Sequence, residues 1–274
     1  MSSAPENAWS AAPPRLQDGD VHIWRCELDT DTDPALLRRF AALLDENEQR
    51  RHRRFIHARD RHRFLSSHAF LRLVLSQYAP VAPEAWRFIT NADGKPFVAG
   101  PRGQRAPLFN LSHSGSVALL ALSMAPCEIG VDIEQHRESR RFHALAQRNF
   151  APSEALTLAG LRGSSLVRQF YDLWSLKESF VKARGLGLRL PLDGFWFDQD
   201  AGCGRLLFDV APVCETCPAA WSFCSYRLAG GYSAALAITH PLDRAPIWFD
   251  ARPWIEWRLV EVPMRGRTRR ITAN

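Results

Sequence analysis

Two periodicities run through this chain, and each predicts a different kind of element. Between residues 165 and 184, Leu166, Phe170, Leu173, Trp174, Phe180 and Val181 return at helical spacing. They predict a helix with one broad apolar stripe, stopped by Gly185 and Gly187. Three charged residues complicate it. Lys177 falls inside the stripe, and Glu178 and Lys182 sit four apart on its flank beside Trp174. Charges half-buried next to a tryptophan are costly unless they are paired or bind something. The plainer alternative is a surface i,i+4 pair worth roughly 0.3 kcal/mol.

The rest of the chain alternates between these patterns. Residues 21–28 read as a first strand, with Ile23, Arg25 and Glu27 opposite His22, Trp24 and Cys26. Asp33 and Pro34 open a helix as cap and first-turn residue, and Leu36, Leu37, Phe40, Leu43 and Leu44 follow. A basic segment from Arg50 to Arg63 leads into a helix carrying Phe64, Leu65, His68, Leu71, Leu75 and Tyr78, broken at 80–83. Residues 86–90 predict a short strand, 91–96 a turn around Gly94, Lys95 and Pro96, and 100–107 a loop. The continuously apolar 117–122 predicts a strand covered on both faces, with a Ser-His-Ser-Gly turn (residues 112–115) before it.

Residues 129–134 alternate strictly, so Ile129, Val131 and Ile133 share one face and Gly130, Asp132 and Glu134 the other. Beyond them, 137–150 is a basic helical stretch, and Ser153 is expected to cap the next helix. Strands follow at 195–198, 205–210, 221–228 and 232–239, the last two joined by Gly230 and Gly231. From His240 the chain is aromatic and basic, with Trp248, Trp254, Trp257 and a run of arginines over 265–270. It is expected to pack partly on the body and to end mobile. No repeat is visible in the sequence, although both halves read as helices followed by strands.

Composition adds limits. The 274 residues are 46% hydrophobic and 23% charged, as in soluble globular proteins, and no run is long enough to cross a membrane. Residues 1–18 lack a basic start and an apolar core, so a loose tail and not a secretory signal is expected, with a cytoplasmic location. The net charge of +6 favours an anionic partner. The six cysteines then read as free thiols. Cys214 and Cys217, flanked by Cys203 and Cys224, form a weak zinc pattern, because one CxxC with irregular outer spacings specifies little.

The chemistry gathers in few places. Asp132 and Glu134 repel each other unless a cation lies between them, and hard oxygen ligands of this kind suit Mg²⁺. The alternative is a solvent-facing acidic side on an edge strand. Ser112 and His113 can both donate hydrogen bonds to phosphate oxygens. As neighbours without an acidic partner they make a poor nucleophile pair. No Walker loop, GxGxxG, HExxH or GxSxG is present.

Three segments, Phe109-Asn-Leu-Ser-His-Ser-Gly115, Gly130-Val-Asp-Ile-Glu134 and Trp174-Ser-Leu-Lys-Glu-Ser-Phe-Val-Lys182, together resemble the 4′-phosphopantetheinyl transferases. The resemblance is closest to the larger, surfactin-synthetase-activating type. It spans about residues 50–240, and the segments keep the family's order and approximate spacing. It implies an α+β fold of two similar halves related by a pseudo-two-fold, with the active site in the cleft between them. The expected parts are a tail (1–18), an N-terminal half (19–127), a C-terminal half with the metal site (128–242) and an extension (243–274).

The implied activity, of the holo-[acyl-carrier-protein] synthase type, moves phosphopantetheine from coenzyme A to a serine of an acyl or peptidyl carrier protein. It is Mg²⁺-dependent and releases adenosine 3′,5′-bisphosphate. The resemblance maps metal ligands onto Asp132, Glu134 and Glu178, and a catalytic lysine onto Lys182. It maps 3′-phosphate contacts onto Ser112, His113 and Arg63, and an adenine-side loop onto Lys95 and Pro96. Glu178 is a metal ligand, a base for the serine, or both. Lys177 is assigned a phosphate contact. Relatives often carry two lysines ahead of the basic run; here those places hold Glu48 and Arg51, which puts that part of the phosphate grip in doubt. The expected partners are a carrier protein and coenzyme A, without nucleic acid or membrane, on a monomer. A basic nucleic-acid-binding protein and a silent carrier-binding protein are the competing classes.

Overall fold

The computed structural model describes residues 12–30, 33–99, 106–139, 141–199, 205–215, 217–252 and 256–268. Most of the expected 1–18 tail, most of the 100–107 loop, Cys203, Trp254 and the arginines at 269 and 270 lie outside the described residues. In chain order the elements are β1 (His22–Glu27), α1 (Pro34–Leu43), α2 (Glu46–Arg54), α3 (Ala58–Leu75), β2 (Phe88–Thr90), β3 (Pro96–Val98), β4 (Leu108–Ser114), β5 (Val117–Ser123), β6 (Ile129–Gln135), α4 (Phe142–Asn149), α5 (Pro152–Ala159), α6 (Gly163–Arg184), β7 (Phe195–Gln199), β8 (Arg205–Val210), β9 (Ser222–Leu228), β10 (Tyr232–Ile238), β11 (Ile247–Arg252), β12 (Glu256–Val260) and β13 (Met264–Thr268). The class is α+β, as expected. The chain divides into two compact units. The first holds Met1–Asn91, Pro96–Ala125 and Ala245–Glu261, and the second Ala92–Lys95, Pro126–Arg244 and Val262–Asn274.

In the first unit the sheet order is β12-β11-β1-β5-β4. β5 is buried at every position, as its unbroken apolar sequence requires. Trp24, Phe70, Leu73, Leu120 and Phe249 belong to one core with α3. Asp33 caps α1, accepting from the Ala35 N–H at 3.0 Å. The basic segment, to which the sequence assigned no element of its own, folds as α2 and the start of α3. The 3.6-residue period is silent there because α2 has no apolar residue; its start is set by a capping box. Asp45 Oδ1 accepts from the Glu48 N–H, and Glu48 Oε2 from the Asp45 N–H, both at 2.9 Å.

In the second unit the sheet order is β6-β10-β9-β13-β8-β7, so β6 forms one edge. α6 packs on β6 and β10 and ends at Gly185, whose φ of 64° only glycine adopts freely. Gly130 lets the helix lie on the strand: a Cβ there would sit 2.1 Å from the Ser179 carbonyl oxygen and 2.4 Å from the Ala183 nitrogen. α5 does not use Ser153 as its cap. It starts at Pro152, and the Ala151 N–H is satisfied by Glu154 from inside the helix.

The expected extension is also different. β11 pairs parallel with β1 and β12 antiparallel with β11. β13 lies between β9 and β8. Trp248 and Phe249 are core residues.

Candidate active site

The β6 face that carries Gly130 turns toward α6, so alternation sends Asp132 and Glu134 the same way. The face is not the solvated acidic edge that the sequence left open: Asp132 is only 2% exposed. The Lys182 ammonium donates to Asp132 Oδ1 at 2.5 Å. Glu178, one turn earlier on α6, completes the group. Burial pushes its carboxyl up, Asp132 pushes it further, and Lys182 pulls it back.

Among the described residues no three His, Cys, Asp or Glu side chains are gathered as closely as a bound metal requires. The cation held by Asp132 here is Lys182. The donor set nevertheless fits a hard divalent cation. Asp132 raises the cost of ionising Glu178, which a cation between them would relieve, and Glu134 follows on the same strand face.

Lys177 does not fit the phosphate contact assigned to it. It is 1% exposed, and its three N–H donors are taken by Glu154 Oε2 at 2.7 Å, the Leu192 carbonyl at 2.8 Å and the Phe195 carbonyl at 2.6 Å. Burial raises the Glu154 carboxyl and lowers the Lys177 ammonium, and each partner's charge opposes the shift of the other. Glu154 carried no sequence signal beyond its place in a first helical turn.

Lys95 also has structural bonds, to the Ile129 carbonyl at 3.0 Å and the Ala183 carbonyl at 2.7 Å. It thereby occupies carbonyls at the start of β6 and the end of α6, where a cation is favoured. Burial lowers its pKa to about 8, against the pull of Glu128 and Cys127. Pro96 opens β3. A polar chain missed in the sequence runs beside α6. Arg227 and Ser233 both donate to Asp172, His136 meets Ser233 Oγ at 2.8 Å, and the His136 ring stacks on Tyr171. The signal was there: Asp172 and Ser233 interrupt otherwise apolar runs.

The remaining expected residues lie in the first unit. Ser112 and His113 are not in a turn; β4 runs through Ser114. Strand alternation therefore sets them on opposite faces, Ser112 buried and His113 exposed. Arg63 makes a two-pronged pair with Asp29, at 2.9 and 2.5 Å, and that hydrogen bonding holds the Asp29 carboxyl below its usual range. Arg51 is exposed, its guanidinium 5.4 Å from the Phe64 ring centre. Glu48 is buried and binds Arg72 and His68. Burial pushes its carboxyl up, but His68 and Arg72 outweigh this and hold it at about 2. This departure from the family's lysine is a structural anchor. Cys214 is buried and Cys217 exposed. Among the described residues no helix is long and apolar enough to cross a membrane.

Comparison with known proteins identifies the family of the chain. Residues 128–237 match the family model described as the 4′-phosphopantetheinyl transferase superfamily, and residues 32–125 match that of the 4′-phosphopantetheinyl transferase N-terminal region. The chain is 32% identical over 205 residues to the 4′-phosphopantetheinyl transferase Sfp of Bacillus subtilis, covering 74% of this chain and 85% of Sfp. It is 34% identical over 185 residues to the 4′-phosphopantetheinyl transferase HetI of a Nostoc species, covering 67% and 77%. A Synechocystis relative is 37% identical over 166 residues, 61% of this chain and 65% of that protein. With two adjoining family models matched and relatives this similar over most of their length, the chain belongs to the 4′-phosphopantetheinyl transferase family.

Proposed function

We propose that this protein transfers the 4′-phosphopantetheine group of coenzyme A to a serine hydroxyl of an apo acyl or peptidyl carrier protein, in the manner of the Sfp-type enzymes. The observation that carries this reading is the Asp132–Lys182–Glu178 group, a buried and a half-buried carboxylate beside one ammonium on the β6 and α6 face. Such a group is costly to fold and is repaid by binding a charged ligand.

In the reaction the serine Oγ–P bond forms and the phosphoanhydride P–O bond breaks, releasing adenosine 3′,5′-bisphosphate. Asp132, Glu134 and Glu178 would hold Mg²⁺, which would neutralise the diphosphate and orient it. The chain's own groups supply the rest. The raised Glu178 carboxyl group, as carboxylate, takes the proton from the serine hydroxyl. Lys182, already drawn to negative oxygen, offsets charge on the leaving diphosphate oxygen. His113 and the Arg51 guanidinium are exposed and can donate to a phosphate, whereas Ser112 is buried. The net positive charge steers an acidic carrier into encounter.

Intact-mass measurement tests this. Incubation with coenzyme A, Mg²⁺ and a panel of apo carriers is expected to add phosphopantetheine to the carrier serine. No adduct on any carrier would overturn the reading.

A further inference from the structure

Lys177 precedes Glu178 in sequence but serves a different surface of α6. Its ammonium and the Glu154 carboxylate join four segments. Glu154 Oε2 receives Lys177 at 2.7 Å and the Ala151 N–H at 3.0 Å, and Oε1 receives the Phe197 N–H at 2.9 Å. Lys177 reaches the carbonyls of Leu192 and Phe195, and lies 4.5 Å from the Phe195 ring centre and 5.3 Å from that of Phe150. One ion pair thus ties the start of α5, the middle of α6, the turn at 192–194 and the first residues of β7.

We infer that the Lys177–Glu154 pair is a positioning device, which fixes the rotation of α6 about its axis and so aims Glu178 and Lys182 at β6. This rests on the proposed function above. Its argument is geometric. α6 is gripped at two places: its backbone at Ser179 and Ala183 lies against Gly130, and its side chain at Lys177 is locked to α5 and β7. Successive helical residues project about 100° apart, so a bond that fixes the direction of Lys177 fixes that of Glu178. A rotation of about 10° would move a carboxylate some ~6 Å from the axis by about 1 Å, the scale of misplacement that costs roughly a hundredfold in rate.

Stability alone does not account for the pair. Fully buried ion pairs are often no more stabilising than apolar residues of the same volume, and a lysine in this stripe costs side-chain entropy as well. What the pair adds over a Leu or Met is direction: three hydrogen bonds at fixed angles, where a hydrophobic contact would let the helix roll.

The test is the double variant Lys177→Met with Glu154→Gln, which removes both charges while keeping shape and an acceptor for one of the two backbone N–H groups, Ala151 or Phe197. Mn²⁺ binding, followed by electron paramagnetic resonance without coenzyme A, is compared with carrier modification at saturating metal. The expected result is a folded protein whose Mn²⁺ dissociation constant rises about tenfold. Its kcat falls about a hundredfold. A folded double variant with both values within about twofold of wild type would overturn the inference. Where the double variant does not fold, Glu154→Gln alone is measured in the same way, and unchanged values again count against it. Wild-type protein that binds Mn²⁺ yet modifies no carrier would sink the proposed function, while the Mn²⁺ comparison still judges the positioning pair.

Discussion

The two units contain the same local topology with opposite contents. In the first, β1 leads through helices to the β4–β5 hairpin, and β5 returns antiparallel to β1. In the second, β6 leads through helices to the β9–β10 hairpin, and β10 returns antiparallel to β6. The registers correspond: Val117, first in β5, pairs with Glu27, and Tyr232, first in β10, pairs with Gln135. The next step corresponds too, with the Leu28 N–H on the Ser116 carbonyl and the His136 N–H on that of Gly231. His22, Trp24 and Cys26 therefore hold the places of Gly130, Asp132 and Glu134.

In the first unit these places are filled by a buried cluster. Trp24 donates to the Tyr78 hydroxyl at 2.8 Å, His22 Nδ1 meets the same oxygen at 2.7 Å, and Trp24 stacks on Phe249. In the second, the glycine lets the helix close in, and carboxylates replace the aromatic filling. β1 is flanked by β11, while β6 is an edge. One frame thus serves as core in one unit and as a charged site in the other. A strand face can carry function when a glycine on it lets the helix pack close and leaves the neighbouring positions to charged groups.

The comparison breaks most severely at Gly130. Gly130→Val should cost at least about 4 kcal/mol in urea unfolding, or prevent folding, because its side chain meets helix backbone that cannot yield. Trp24→Ala, at the place of Asp132, should cost about 4 kcal/mol through the cavity it leaves. Asp132→Asn should show no cavity cost in the same measurement.

A pH titration of stability reads the next difference. Burial lowers His22 to about 4 from an ordinary 6.5, with Asp20 opposing. The neutral ring is favoured in the folded state, so its contribution is full above about pH 6.5 and is lost as pH falls toward 4. The loss is about 3 kcal/mol and should be absent in His22→Leu. The smallest effect is expected at Glu178. Glu178→Gln removes repulsion from Asp132 and should raise stability by about 0.5 kcal/mol while abolishing carrier modification. A destabilised Glu178→Gln would mean that the two carboxylates are not opposed.

How far the sequence shows this depends on the kind of signal. Strict alternation placed β6 and the shared face of Gly130, Asp132 and Glu134, and the helical stripe placed α6 with its glycine stop. Those patterns report local geometry directly. The sequence could not show the correspondence of His22 with Gly130 or Trp24 with Asp132, because equivalence lies in hairpin register and the residue types share nothing. Lys177 was misassigned because its partner Glu154 is distant in sequence and looks like an ordinary first-turn carboxylate. β11 to β13 were missed as sheet strands because pairing across the chain leaves no local period. α2 was missed for the opposite reason, a helix set by its cap and not by a buried face.

The central claim is that the carboxylate face of β6 and α6 performs the transfer. The most direct measurement is the rate of phosphopantetheine addition to an apo carrier by Asp132→Asn, with circular dichroism confirming the fold. The account predicts a folded variant at least about a thousandfold slower than wild type, since the buried carboxylate that holds Lys182 and would hold the cation is removed. Transfer at the wild-type rate would contradict it.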